Sequence, residues 1–124
     1  SPAKWIRMMS NELQAGSFKV IAEARESGNV GIYRPNGSAH VQLVRRILAN
    51  VALEDILWEA PKKPQQVWFL RQFGANVNLG NIGPNDLIPL ECLRLGLRGD
   101  TFFEHLPDGL AEGKRLVNDT VEED

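Results

Sequence analysis

Asn76-Val-Asn-Leu-Gly-Asn-Ile-Gly-Pro-Asn-Asp-Leu87 is the stretch on which the fold turns. It reads as a short buried strand that ends in amides and passes through Gly83-Pro84 into the start of a helix. Proline near the first helical position fits the φ it carries, and a helix start offers free N–H donors and the positive end of a dipole. In an open α/β layout the carboxyl end of a strand faces the ligand. Asn78, Gly80, Asn81 and Gly83 are therefore candidates for holding an anion such as phosphate or sulfonate. The same letters also describe an ordinary β-to-α turn.

Working outward, two more strand-like runs appear, over residues 18–24 and 55–60, beside 76–82. Each is short, apolar in its first part, and preceded by a helical pattern that ends in a break. The breaks are Ala15-Gly16, Asn50-Val51-Ala52 and Phe73-Gly74, where glycine or asparagine suits the left-handed position after a helix. The helical patterns cover residues 4–13, 39–49, 64–73 and 85–97. The order α-β-α-β-α-β-α predicts parallel strands covered by helices. Pro89, inside the last pattern, predicts a separate first turn or a kink.

Successive side chains on a strand point to opposite faces. Val20, Ala22, Ile56, Trp58, Val77 and Leu79 then share an apolar face for the helices. The other face carries Ile21, Leu57 and Gly80, with Glu23, Arg25, Glu59 and Asn78 expected in line toward the strand ends. Carboxylates on an inward sheet face need a cation, a metal or a ligand to offset their desolvation. Arg25 neutralising Glu23 or Glu59 is the structural alternative to a polar active-site pocket at the carboxyl ends of the strands. Glu26 and Ser27 lead from the first strand into a glycine-rich loop, residues 28–38, long enough to cover that pocket or to be a plain surface excursion. Lys62 and Lys63 lie at the mouth of the same layer and could steer an anion.

The 124 residues, 43% hydrophobic and 24% charged, suit one globular domain. A formal net charge of -2 makes nucleic acid a poor partner. The one cysteine, Cys92, sits among leucines, as a reduced thiol in a cytoplasmic protein would. No apolar run approaches the roughly 20 residues of a membrane span, so no membrane partner is expected. His40 and His105 have no second ligand at zinc spacing. Trp5, Trp58 and Trp68 read as core bulk. Residues 104–124, ending Val121-Glu-Glu-Asp124, read as a flexible acidic tail.

Four runs now point to a family: Ile21-Ala-Glu-Ala-Arg-Glu-Ser-Gly28, Trp58-Glu-Ala-Pro-Lys-Lys-Pro-Gln-Gln-Val67, Phe73-Gly-Ala-Asn-Val-Asn-Leu-Gly-Asn-Ile82 and Leu90-Glu-Cys-Leu-Arg-Leu-Gly-Leu-Arg-Gly-Asp-Thr101. In order and spacing they resemble the phosphosulfolactate synthases of coenzyme M biosynthesis and spore-forming bacteria, of which plant heat-stress-associated proteins are a divergent branch. The resemblance implies a (βα)8 TIM barrel, and a lyase that adds sulfite to the methylene carbon of phosphoenolpyruvate, with Mg2+, to give (2R)-phospho-3-sulfolactate. Glu23, Arg25 and Glu59 would then be catalytic, with Glu23 and Glu59 as metal ligands. Arg25, Glu26, Ser27, Asn78, Gly80, Asn81 and Gly83 would bind substrate.

The resemblance covers only the C-terminal half of that barrel. Residues 1–103 correspond to the sixth to eighth βα units, about three parallel strands with covering helices. The family's proposed general acid, a lysine on the fifth strand, has no counterpart among them. Three parallel strands leave open edges that invite pairing with another chain. The expected partners are thus the anionic substrates together with the missing N-terminal barrel half or another copy of this chain, as an oligomer. A non-catalytic half-barrel that works by association is the alternative.

Overall fold

The computed structural model describes residues 1–25 and 31–101. The chain begins with α1 (Pro2–Gln14), where the Ser1 hydroxyl accepts the Lys4 N–H at 3.4 Å and Pro2 occupies the first turn. There follow β1 (Val20–Ala22), α2 (Val41–Leu48), β2 (Ile56–Glu59), α3 (Lys63–Phe73), β3 (Leu79–Gly80) and α4 (Leu87–Arg94). Short 3-10 turns at Leu53–Asp55, Pro84–Asp86 and Gly99–Thr101 complete the described elements. Gly74 ends α3 at φ 91°, a conformation that only glycine adopts without strain.

The three strands are parallel, in the order β1-β2-β3. The alternation predicted from sequence is therefore present: three consecutive βα units with a parallel sheet, the layout of part of an α/β barrel. The strands are shorter than the apolar runs suggested. In the last run only Leu79 and Gly80 pair as strand, although the Trp58 N–H still bonds to the Asn78 carbonyl at 2.9 Å. The last helical pattern is also divided. A 3-10 turn, Pro84–Asp86, precedes α4, and Pro89 falls in the first turn of α4, where a missing N–H removes no helical bond.

Strand parity sorts the side chains as expected. Val20, Ala22, Ile56, Trp58 and Val77 are buried on the helix side. Against them pack Trp5 and Met9 of α1, Val44 and Ile47 of α2, Phe69 and Leu70 of α3, and Leu90 and Leu93 of α4. Trp58 lies 5.1 Å from the Phe69 ring and stacks on Phe73 at 6.2 Å, so the centre of this layer is aromatic. The Arg94 guanidinium donates to the carbonyls of Ala75 and Val77, fastening α4 to the chain entering β3.

The opposite sheet face is bare. Ile21 is 53% exposed there and Leu57 is half-buried. Leu57 packs over Gly80: a Cβ at Gly80 would stand 2.2 Å from the Leu57 Cδ2, so a side chain there would push the leucine aside. Leu87 and Ile88 at the start of α4 are exposed, as are Leu95 and Leu97 beyond its end. Among the described residues no helix is long and apolar enough to cross a membrane.

Candidate functional site

The carboxyl ends of β1 and β2 are tied together by Glu59. Its Oε2 accepts the Ala24 N–H at 2.8 Å, beyond the point where the β1–β2 ladder stops. Glu23 and Glu59 each follow the paired residues Ala22 and Trp58 by one position, so they stand at one level of the sheet. Glu23 and Arg25 are exposed and Glu59 is half-buried. Among the described residues no ion pair joins Arg25 to either glutamate, so the internal charge network weighed from sequence is not formed there. Glu26 and Ser27 lie outside the described residues.

The chain then makes a small antiparallel turn. Tyr33 bridges Ala39, the Arg34 N–H bonds to the Ser38 carbonyl at 2.8 Å, and Gly37 turns at φ 89°. Asn36 Oδ1 accepts from both the N–H and the hydroxyl of Ser38, which closes the turn from inside. The Tyr33 hydroxyl donates to the main-chain carbonyl of Glu59 at 2.5 Å. Burial, and secondarily the charge of Glu59, push the Tyr33 phenol well above its ordinary value. Tyr33 is accordingly a neutral donor.

Gln65 joins this turn to α3. Its Oε1 accepts the Lys62 N–H at 3.0 Å and its Nε2 donates to the Gly37 carbonyl at 3.1 Å. Its neighbour Gln66 donates from Nε2 to the Ala60 carbonyl at 3.0 Å. Between the turn and the strand ends lies a cleft of about 440 Å³, whose lining includes Arg25, Tyr33, Arg34, Lys62 and Gln65. Its described charged side chains are all cationic. Sequence reasoning missed Tyr33, Arg34 and Gln65; Pro35-Asn36-Gly37 carried a turn signal, but nothing local marked Gln65.

Lys62 and Lys63, grouped in the sequence, have separate surroundings. Lys62 lines the cleft, with its Nζ 3.7 Å from where a Cβ on Gly37 would be. Lys63 pairs with Asp100 at 2.9 Å, and that hydrogen bond lowers the Asp100 pKa. Arg71 donates to the Asp100 carbonyl at 3.0 Å, so the Arg98-Gly99-Asp100 stretch is held against α3. His40 is the N-cap of α2.

The expected line of polar residues needs one correction. Leu79 pairs with Trp58, which sets Asn78 level with Leu57 and Gly80 level with Glu59. The Asn78 amide donates to the Glu54 carbonyl at 3.3 Å, an acceptor shared with Lys19 Nζ at 2.5 Å. Asn78 therefore points to the amino end of the sheet. Asn81 turns at φ 56°, a left-handed conformation that asparagine tolerates. Gly83 precedes a three-residue 3-10 turn rather than an α-helix, and Asp86 Oδ2 stands 3.0 Å from where its Cβ would be. With Pro84 lacking an N–H and a carboxylate beside Gly83, this turn is less suited to an anion than the sequence suggested.

Among the described residues no cluster of three or more histidine, cysteine or acidic side chains gathers to hold a metal. Glu23 and Glu59 are hard oxygen donors at one level. Magnesium commonly takes one or two carboxylates and completes its shell with water and substrate phosphate, so the pair fits such an ion.

Residues 1–100 match the family model described as (2R)-phospho-3-sulfolactate synthase (ComA). The chain is 44% identical over 101 residues to the phosphosulfolactate synthase of Methanothermobacter thermautotrophicus, covering 81% of this chain and 39% of that protein. It is 44% identical over 104 residues to that of Bacillus subtilis, covering 83% and 41%. Similarity to the Arabidopsis thaliana protein HEAT-STRESS-ASSOCIATED 32 is 25% over 89 residues, covering 72% of this chain and 29% of that one. The chain spans about two fifths of the length of the synthases it matches.

Proposed function

We propose, from the premise that this chain belongs to the (2R)-phospho-3-sulfolactate synthase family, that it supplies the C-terminal βα units of a barrel that adds sulfite to phosphoenolpyruvate. The observation that carries the reading is the Glu59 carboxylate holding the Ala24 N–H at the carboxyl ends of adjacent parallel strands, next to a cationic cleft lined by Ala24 and Arg25, where barrel enzymes keep their chemistry.

In this reaction the sulfite lone pair forms a C–S bond at the methylene carbon. The π pair moves to C2, which then takes a proton, and the phosphate ester stays in place. Negative charge grows on the carboxylate side during attack, and fixed cations aimed at it lower the barrier. Arg25 provides a planar fork for a carboxylate or phosphate. Glu23 and Glu59 would hold magnesium, which as a Lewis acid stabilises that charge. Tyr33 and Ala24 fix the main chain and carboxylate of Glu59, so its free Oε1 keeps one orientation.

A second reading, a half-barrel that acts through association, is favoured by the exposure of Ile21, Ile88 and Leu97. Phosphorus NMR of the assembled protein with phosphoenolpyruvate, sulfite and magnesium separates the two. The synthase reading expects a new phosphate-ester resonance that needs both substrates. Unchanged phosphoenolpyruvate in a complete barrel would leave association as the function.

A further inference from the structure

We propose that the cleft between the Tyr33–Ala39 turn and the start of α3 is an oxyanion subsite, with Lys62 and Arg25 as its charged contacts and Gln65 as the positioning residue that holds it open. The inference deepens the synthase reading and rests on it for the identity of the anion. Its ligand is a small doubly charged oxyanion, either the phosphate ester of the substrate or the sulfite that attacks it.

Three observations carry it. First, Lys62 and Arg25 line one cleft from two different strand ends, and among the described residues neither is paired with a carboxylate. Its neighbour Lys63 does have such a partner in Asp100, so the difference between adjacent lysines lies in their surroundings. Second, the walls are fixed. Gln65 is 6% exposed, and its amide bonds Lys62 on one side and Gly37 on the other. Those two hydrogen bonds set the separation between the main chain at Lys62 and the turn. Third, the N–H groups at the start of α3 are largely committed: that of Lys62 goes to Gln65 Oε1, those of Gln65 and Gln66 go to the Lys62 carbonyl, and Pro64 has none. Charge on the anion is then met chiefly by side-chain cations, of which Lys62 and Arg25 stand at the strand ends and Arg34 on the turn.

Calorimetric titration of the assembled protein with inorganic phosphate and with sulfite tests this, alongside the KM for each substrate. Lys62→Ala should weaken one anion about tenfold or more, as loss of a charged hydrogen bond does, and Lys62→Arg should recover part of it. Lys63→Ala should leave both unchanged. Gln65→Glu, which cannot donate to the Gly37 carbonyl, should weaken the same anion with a smaller change in kcat than in KM. Loss confined to phosphate, with a raised KM for phosphoenolpyruvate, identifies the phosphate subsite. Loss confined to sulfite identifies the nucleophile's. Equal effects of Lys62→Ala and Lys63→Ala, or no anion binding, would overturn the proposal. Product formation with Lys62→Ala unaffected would remove the subsite and leave the synthase reading. Lys62-dependent binding without any product would do the reverse.

Discussion

The carboxylate of Glu59, at the end of β2, accepts the main-chain N–H of Ala24, two residues beyond β1, at 2.8 Å. One oxygen of this candidate metal ligand is thus committed to the fold, and one remains for chemistry. The two uses separate by substitution. Glu59→Gln keeps an acceptor for Ala24 and should leave the unfolding midpoint nearly unchanged while removing magnesium dependence. Glu59→Ala leaves the Ala24 N–H unpartnered, at a cost of about 1–3 kcal/mol if water does not replace the bond. Chemical denaturation and a metal titration of both variants check the split; equal stability of the two would show that the bond to Ala24 contributes nothing.

Arg25→Ala should raise the KM for phosphoenolpyruvate by about 1.5–3 kcal/mol of lost binding, the range of a hydrogen bond to a charged group. Its exposure at the cleft mouth keeps the effect at the lower end. Steady-state kinetics at two salt concentrations measure it, and an unchanged KM would remove Arg25 from the substrate contacts.

Tyr33 is the one tyrosine in the chain, so phenolate absorbance reports on it alone. Burial, then the charge of Glu59, raise its folded pKa above the unfolded value. Its contribution to stability is then whole below about pH 10, the ordinary tyrosine pKa, and declines as pH rises through the folded pKa. The fall in stability above pH 10 should be steeper in the wild type than in Tyr33→Phe. That variant also loses the bond to the Glu59 carbonyl, worth about 0.5–1.5 kcal/mol. Parallel curves for the two proteins would contradict the assignment.

Much of this arrangement is legible in the residues. Alternation in Val20-Ile21-Ala22 and Ile56-Leu57-Trp58-Glu59 separates buried from open faces. The breaks at Gly16 and Gly74 mark helix ends, since both take positive φ. The position of Asn78 was not legible, because parity fixes a side chain's face but not the register between strands. Gln65 and Tyr33 were also hidden: their partners Gly37 and Glu59 lie far along the chain, and neither residue type announces a long-range bond. Residues 104–124, expected to form a flexible acidic tail, lie outside the described residues.

Asp100 has its carboxyl pKa lowered, first by the hydrogen bond from Lys63 and then against some burial. Stability from this pair is present above the ordinary aspartate pKa and lost as pH falls through the lowered one. Both side chains are nearly half exposed, 49% and 45%, so Lys63→Ala should cost less than about 1 kcal/mol. NMR titration should show the Asp100 carboxyl returning toward its ordinary range. A large loss of stability would mean that Lys63 does more than this pair describes.

The most direct measurement is sulfite-dependent consumption of phosphoenolpyruvate by the chain alone and by the barrel once its remaining strands are supplied. Little or no turnover by the chain alone, with turnover and phosphosulfolactate formation in the completed barrel, is the expected result. A completed barrel that binds both anions yet forms no product would contradict the assignment of this chain to synthase catalysis.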